Sequence, residues 1–297
     1  MKGKSKVKSV VAHALTRGTS RGSIVLMTRR TFLPAAAAPL ALAATRKGRL
    51  KQSVCRWCYK DISLETLARE SGQLGLKGMD LIGPDEWPVA KKYGLTPSMT
   101  TGGGTIPDGL NRKENHAKIE QQFRENIPRA AAAGVPNVIT FSGNRRGQAD
   151  VEGIDNCVIG LNRVKAIAED NSVSICLELL NSKVNHKDYQ CDHTAWGVEV
   201  IKRVGSPRVK LLYDIYHMQI MEGDVIRTIQ ENIAHIGHFH TGGVPGRHEL
   251  DGTQELNYRA IAEAIAKLGF EGYMAHEFIP VRDPLKSLAE AVDLCDV

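Results

Sequence analysis

Four side chains of metal-ligand type recur at the ends of four successive apolar runs in the second half of the chain. Leu177-Glu178-Leu179-Leu180-Asn181 ends one run and Tyr213-Asp214-Ile215-Tyr216-His217 the next; His238-Phe239-His240-Thr241 and His276-Glu277-Phe278 end the last two. Glu178, Asp214, His240 and Glu277 are three carboxylates and an imidazole. That oxygen-rich set suits one divalent metal ion, Mn²⁺, Mg²⁺ or Co²⁺, with Zn²⁺ admissible. Taken singly, each would read as an internal salt bridge or a hydrogen-bonded core polar group, because a lone buried carboxylate is costly. Four in register need a common partner, and a metal is such a partner. A metal chelated by adjacent oxygens stabilises the anion left when a proton leaves carbon beside a carbonyl. One carboxylate can take that proton, and a second, or the same one, can return it.

The elements that must position these residues alternate along the chain. Strand candidates fall at residues 54–59, 78–82, 96–101, 137–142, 174–180, 209–216, 235–241 and 272–279. Helical stretches lie near 64–74, 85–93, 113–133, 154–169, 195–204, 224–233, 258–268 and 285–294. Ile119, Phe123, Ile127 and Ala131 recur at four-residue spacing, as do Ile261 and Ile265 with Leu268 after them, each giving one apolar stripe. Gly75, Gly94, Gly134 and Gly269 mark helix ends, and Asp283-Pro284 a helix start. The fifth and sixth strands read as nearly continuous apolar runs, as parallel strands covered on both faces do. Eight strand–helix units in about 250 residues predict an α/β fold of the (β/α)₈ TIM-barrel type, a single domain with its active site at the carboxyl ends of the strands. An open doubly wound sheet is the alternative, but no G-x-G-x-x-G follows the first strand.

The 297-residue chain carries a net charge of +6, unevenly spread. Residues 1–44 hold Lys2, Lys4, Lys6, Lys8, Arg17, Arg21, Arg29 and Arg30 and no acid, so the +6 of the whole less these eight leaves −2 for the rest. A basic footprint for nucleic acid is thereby removed from the catalytic portion, residues 45–297. Within the leader, residues 27–44 have the form of a twin-arginine signal peptide: Arg29-Arg30, then an alanine-rich apolar run, then the small residues Ala41-Leu42-Ala43. The expectation is export to the periplasm by the Tat pathway, with Met27 a candidate start. The apolar run is too short for a stable membrane span. The six cysteines, Cys55, Cys58, Cys157, Cys176, Cys191 and Cys295, have no disulfide-framework spacing and read as small buried apolar residues. Cys55 and Cys58, three apart in a strand, would point to opposite faces.

The run from Leu211 through Asp214 and His217 to Gly223 resembles the hydroxypyruvate isomerases. So do Leu177-Glu178 with Asn181, and Glu249-Leu250-Asp251-Gly252 leading to Glu255-Leu256-Asn257-Tyr258. More broadly the chain resembles the xylose-isomerase-like sugar isomerase/epimerase family, which includes the ketose 3-epimerases, over about residues 53–282. The resemblance implies that Glu178, Asp214, His240 and Glu277 hold the metal, and that Glu178 and Glu277 also exchange protons with the substrate. It implies that His217 and Arg247 hold substrate oxygens, with Asn181 among the matching residues at the site. Hydroxypyruvate isomerases carry a glutamine-type ligand where this chain has His240; histidine there is more like the ketose 3-epimerases. Hydride-shift xylose isomerases place a lysine two residues after the strand-five glutamate, and here that position is Leu180, which favours proton transfer.

Arg247 could steady an oxyanion or a substrate carboxylate with its forked donors; as a loop arginine it also reads as a solvated charge. Trp57 reads as an apolar wall against a sugar, or as a core tryptophan. His186, Asp188 and Asp192, in the long loop after the fifth strand, could belong to a lid or to a solvated polar loop. Gly102-Gly103-Gly104 could let a loop approach the site. The expected activity is isomerisation or epimerisation of a small hydroxy-carbonyl compound through an enediolate, on an unphosphorylated carbohydrate-like molecule. Three alternatives stay open: a metal-dependent lyase or dehydratase on a cyclic polyol, a nuclease of the endonuclease IV type, and a binding protein that has lost catalysis. The nuclease needs more rim histidines and a basic face than the chain supplies. The expected partner is the small-molecule substrate, without nucleic acid; a homo-oligomer is compatible with the sequence.

Overall fold

The computed structural model describes residues 46–297; the twin-arginine segment lies outside them. Eight parallel strands close into a barrel in sequence order. The strands are β1 Lys51–Cys55, β2 Gly78–Asp80, β3 Thr96–Gly103, β4 Asn137–Thr140, β5 Ser174–Glu178, β6 Val209–Asp214, β7 Ile236–Thr241 and β8 Tyr273–His276. Between and after them run α1 Leu64–Gln73, α2 Trp87–Lys92, α3 His116–Ala133, α4 Asp150–Asn162, α5 Lys165–Asp170, α6 Thr194–Val204, α7 Ile215–Met221, α8 Val225–Asn232, α9 Tyr258–Lys267 and α10 Pro284–Leu294. No helix among the described residues is long and apolar enough to cross a membrane.

Period-two alternation divides the strand side chains between two cores. Leu211 and Tyr213 of β6, Phe239 of β7 and Met274 of β8 join the large layer between barrel and helices. Met99, Ile139, Cys176 and Leu212, from β3 to β6, form a small cluster of their own inside the barrel. Cys176 and Leu212 stand two residues before Glu178 and Asp214, so the same inward face that carries this plug presents carboxylates at the next step toward the rim.

Six strands stop earlier than their apolar runs suggest, while β3 runs on to Gly103 and β7 ends at Thr241 as expected; the stops of β5 and β6 have local causes. Asp214 ends β6 because its side chain accepts the backbone N–H of His217 at 3.0 Å and caps α7, which takes Ile215 and Tyr216 out of the expected strand. After β5, the side-chain oxygen of Asn181 accepts the N–H groups of Val184 and Asn185 at 3.0 and 2.9 Å and turns the chain into a loop. The helix expected over 154–169 breaks in two, since Val164 leaves helical geometry at φ −122° while its side chain is buried. Glycine positions were legible: Gly75, Gly94, Gly134 and Gly269 all have φ between +69° and +83°. At Gly134, which caps α3 in an open space, only the left-handed backbone demands glycine. Gly102 and Gly103 serve packing instead of the site. A Cβ on Gly102 would lie 2.6 Å from the Phe123 ring, and one on Gly103 3.0 Å from the Ile119 carbonyl, so they admit α3 against β3.

Candidate active site

Residues 56–59, expected to extend the first strand, instead form a 3₁₀ turn, Arg56–Tyr59. The turn swings Trp57 over the carboxyl end of the barrel, half exposed, where its indole Nε1–H donates to Glu277 Oε1 at 2.6 Å. Trp57 is therefore neither a core tryptophan nor only an apolar wall. Cys58, half-buried on the same turn, and Cys55, buried at the end of β1, are both free thiols, as are the other four cysteines.

The barrel brings Glu178, Asp214, His240 and Glu277 together, with ligand atoms all within 4.8 Å of one another. The β6–β7 register sets Asp214 beside His240, while Glu277 stands one residue beyond the end of β8. His240 Nδ1 lies 2.7 Å from a Glu277 oxygen, 3.4 Å from Glu178 and 3.9 Å from Asp214. That nitrogen is buried and makes no hydrogen bond among the described residues, while Nε2 of the same ring meets Asp80 Oδ2 at 2.9 Å in hydrogen-bond geometry. Nδ1 therefore faces three carboxylates: a protonated ring pairs with them directly, and a ring neutral at Nδ1 would turn a lone pair toward a cation held among them.

The charges agree. Three carboxylates face one fixed cation: Arg247 Nη2 reaches Asp214 Oδ2 at 2.7 Å and also pairs with Glu277 Oε2. Burial first, then the nearby charges of Glu277 and Asp214, push Glu178 up to about 7 against the pull of His240. Burial also acts on Glu277, but His240 and Arg247 outweigh it and hold that carboxyl at about 2. Burial opposes charge on His240, and Glu277 with Cys55 and Asp80 overrides it, raising the imidazole well above its ordinary value. The donor set thus fits one divalent ion by ligand type, spacing and unmet charge.

Arg247 and His217 stand together at the wall of the site. Arg247, in the left-handed region at φ +59°, donates from Nε to the Glu277 carbonyl at 2.9 Å. Asn181 is not at the cavity surface; it is buried behind His217, with Nδ2 at 2.6 Å from His217 Nδ1. Asn181 Oδ1 already accepts two backbone N–H groups, so Nδ2 is a donor; it and Arg247 Nη1 approach the two ring nitrogens of His217, and a neutral ring accepts from one of them. Burial keeps His217 well below its ordinary pKa, so the ring is neutral. Arg247 Nη1 and His217 Nε2 stand 2.9 Å apart in hydrogen-bond geometry. A ligand oxygen at this wall can accept from the Arg247 guanidinium.

These groups open into a cavity of about 490 Å³. Glu178, Glu277, His217, Arg247 and Trp57 line it together with the apolar Leu81, Ile106, Ile139, Phe141, Leu180 and Ile279. Asn185 and His186 from the loop after β5 also reach it, with His186 5.2 Å from the His217 ring. Asp188 and Asp192 do not: they pin that loop, Asp188 accepting Arg146 N–H at 2.8 Å and Asp192 pairing with Arg145 at 3.1 Å. Sequence reasoning passed over Asp80, His238 and Asn185. Asp80 ends β2, so the strand-end rule that found Glu178 and Asp214 would have found it too.

A family model described as xylose isomerase-like TIM barrel matches residues 88–296. A Xenopus laevis protein named for hydroxypyruvate isomerase is 28% identical over 185 residues, 62% of this chain and 55% of the relative. A 2-oxo-tetronate isomerase of Cupriavidus necator is 34% identical over 127 residues, 43% of this chain and 46% of the relative. A D-psicose 3-epimerase of Agrobacterium fabrum is 36% identical over 127 residues, 38% of this chain and 42% of the relative. The matches thus span about half the length of these relatives. Two solved structures share the fold. A family 2 AP endonuclease from Brucella melitensis has TM-score 0.71 at 22% identity, covering 81% of this chain and 98% of that one. A 3-keto-D-glucoside 4-epimerase from E. coli has TM-score 0.69 at 18% identity, covering 83% and 98%.

Proposed function

The chain belongs to the xylose isomerase-like TIM-barrel family, and from that membership we propose that it is a metal-dependent isomerase or epimerase of a small hydroxy-carbonyl compound, hydroxypyruvate or ketose-like. The observation that carries the reading is the pair Glu178 and Glu277. They come from non-adjacent strand ends, line one cavity, and both belong to the ligand set. Relatives named as isomerases and epimerases support the reaction class. A divalent ion held by Glu178, Asp214, His240 and Glu277 would supply Lewis-acid polarisation of adjacent carbonyl and hydroxyl oxygens.

The chain's own residues account for the remaining chemistry. Glu178, at the cavity wall beside the other three ligand-type side chains, is placed to trade a proton with carbon. Glu277 is held as a carboxylate and oriented by the Trp57 indole. Either can act as base, with the other returning the proton from the opposite side. His217 and Arg247 stand together at the cavity wall and would hold the oxygen on which negative charge develops in the enediolate. The apolar wall limits water at the carbanion. Leu180, at the cavity wall, leaves no lysine for the hydride-shift route.

The test is deuterium wash-in from heavy water with Mn²⁺ present, across ketoses, hydroxypyruvate and inososes. Proton transfer places deuterium on the carbon that changes. Glu178→Gln and Glu277→Gln should each lower turnover by roughly 10²–10⁴-fold. Product without deuterium after many turnovers, with both glutamine variants active and metal-loaded, would refute the mechanism. A product lighter by one water would assign a dehydratase instead.

A further inference from the structure

Beneath the four candidate ligands, inside the barrel, lies a second polar cluster that shares only His240 with them. Asp80, Cys55, Ser98, His238 and His240 are all fully buried there. Asp80 closes β2 and faces His240 across the interior. Its Oδ1 accepts the Ser98 hydroxyl at 2.6 Å, which fixes the plane of the carboxylate. Its Oδ2 meets His240 Nε2 at 2.9 Å, and the Cys55 thiol donates weakly to the same oxygen at 3.7 Å.

We infer that Asp80 is a positioning residue of the metal site: its carboxylate holds the Nε2–H of His240 and thereby presents Nδ1 to the ion. The inference rests on the metal-dependent reading above. An ionised carboxylate can only accept, and an imidazole that ligates a metal is neutral with a single N–H, so in the loaded site the pair selects one tautomer. The same contact stops the ring from turning over, which would exchange the two nitrogens. Water cannot replace the contact, because none of the five side chains is exposed. An anionic acceptor behind a ligating histidine also raises the basicity of the ligating nitrogen. Asp80 therefore tunes the site toward ions that bind nitrogen well, such as Mn²⁺, Co²⁺ or Zn²⁺, relative to Mg²⁺.

The test measures metal binding and the tautomer as well as activity. Mn²⁺ titration followed by electron paramagnetic resonance should show Asp80→Asn binding about 10–100-fold more weakly than wild type, the usual effect of losing such a partner. In a His240→Gln background, with no imidazole to orient, the same substitution should change affinity less than about threefold. A direct readout needs no Asp80 variant and survives a failure of that variant to fold. In Zn²⁺-loaded wild type with ¹⁵N-labelled histidine, the signal lost in His240→Gln should show a metal-bound Nδ1 and a protonated Nε2. A metal-bound Nε2, unchanged Mn²⁺ affinity in Asp80→Asn, or equal losses in both backgrounds would each overturn the role of Asp80. Wild type that takes up neither ion would overturn the metal reading and this inference together, which separates the two failures.

Discussion

Replacing Trp57 by phenylalanine isolates one hydrogen bond at the site. The ring keeps an aromatic face against the cavity but loses the Nε1–H that donates to Glu277 Oε1 at 2.6 Å. Hydrogen bonds to charged groups are worth about 1.5–3 kcal/mol, or roughly 10–100-fold in a rate that depends on them. Trp57 is 45% exposed, so water will partly replace the lost donor. The lower end, about tenfold in kcat, is the expected loss. Metal content should stay at wild-type level, because the other Glu277 oxygen is the one facing His240. KM should shift less than about threefold, since the apolar contact remains. Steady-state kinetics of Trp57→Phe and Trp57→Ala, with metal quantified in each preparation, test this. Wild-type kcat in Trp57→Phe, or a fall that merely tracks lost metal, refutes the claim that the indole orients Glu277.

Other outcomes follow from the same geometry. Asp214→Ala, which deletes a ligand and the cap of α7 together, should bind Mn²⁺ more than about 100-fold more weakly, beyond the range for losing an outer partner; equal metal by elemental analysis would contradict the ligand set. Asp192→Asn should loosen the loop that carries Asn185 and His186, seen as faster amide exchange over residues 181–192 and a raised KM. The same substitution has a pH signature. Burial opposes charge on Asp192, but Arg145, Ser182 and His193 hold its pKa below the ordinary value. Its stabilisation is therefore present above the unfolded carboxyl value near 4 and lost as pH falls through the lower folded value. Urea unfolding of wild type and variant should differ at pH 7 and converge toward pH 2; a constant difference would exclude the charged pair as its source.

The barrel was legible because buried parallel strands read as apolar runs and because helix ends carry glycines whose left-handed φ the structure bears out. The four rim residues were legible for a related reason: a charged side chain at the end of an apolar run has no cheap structural explanation. What stayed hidden was set by contacts outside the strand period. Trp57 sits on a 3₁₀ turn that a period-two reading continued as strand. Asp80 ends a strand of three residues, and the apolar Leu81 and Ile82 after it made the run look longer than it is. Asn181 matched the site by sequence, yet its side chain is committed to the loop backbone and to His217, so it acts on the cavity through another ring.

The salt link from Arg247 to Asp214 and Glu277 bears on the order in which the protein is built. A cluster of three acids with no counter-ion would repel itself apart before any metal arrived, and the chain would need its ion in order to fold, as small zinc domains do. Here a guanidinium supplied by the loop after β7 already neutralises part of that repulsion. Assembly and loading become separable events, with the arginine standing in until the ion takes up its share of the carboxylates. Protein stripped by a chelator should keep its far-ultraviolet circular dichroism, melt only a few degrees lower, and recover activity within the time of mixing when Mn²⁺ is returned. Stripped protein that unfolds, or that must be denatured and refolded with metal to regain activity, would show that the ion belongs to the folding reaction itself.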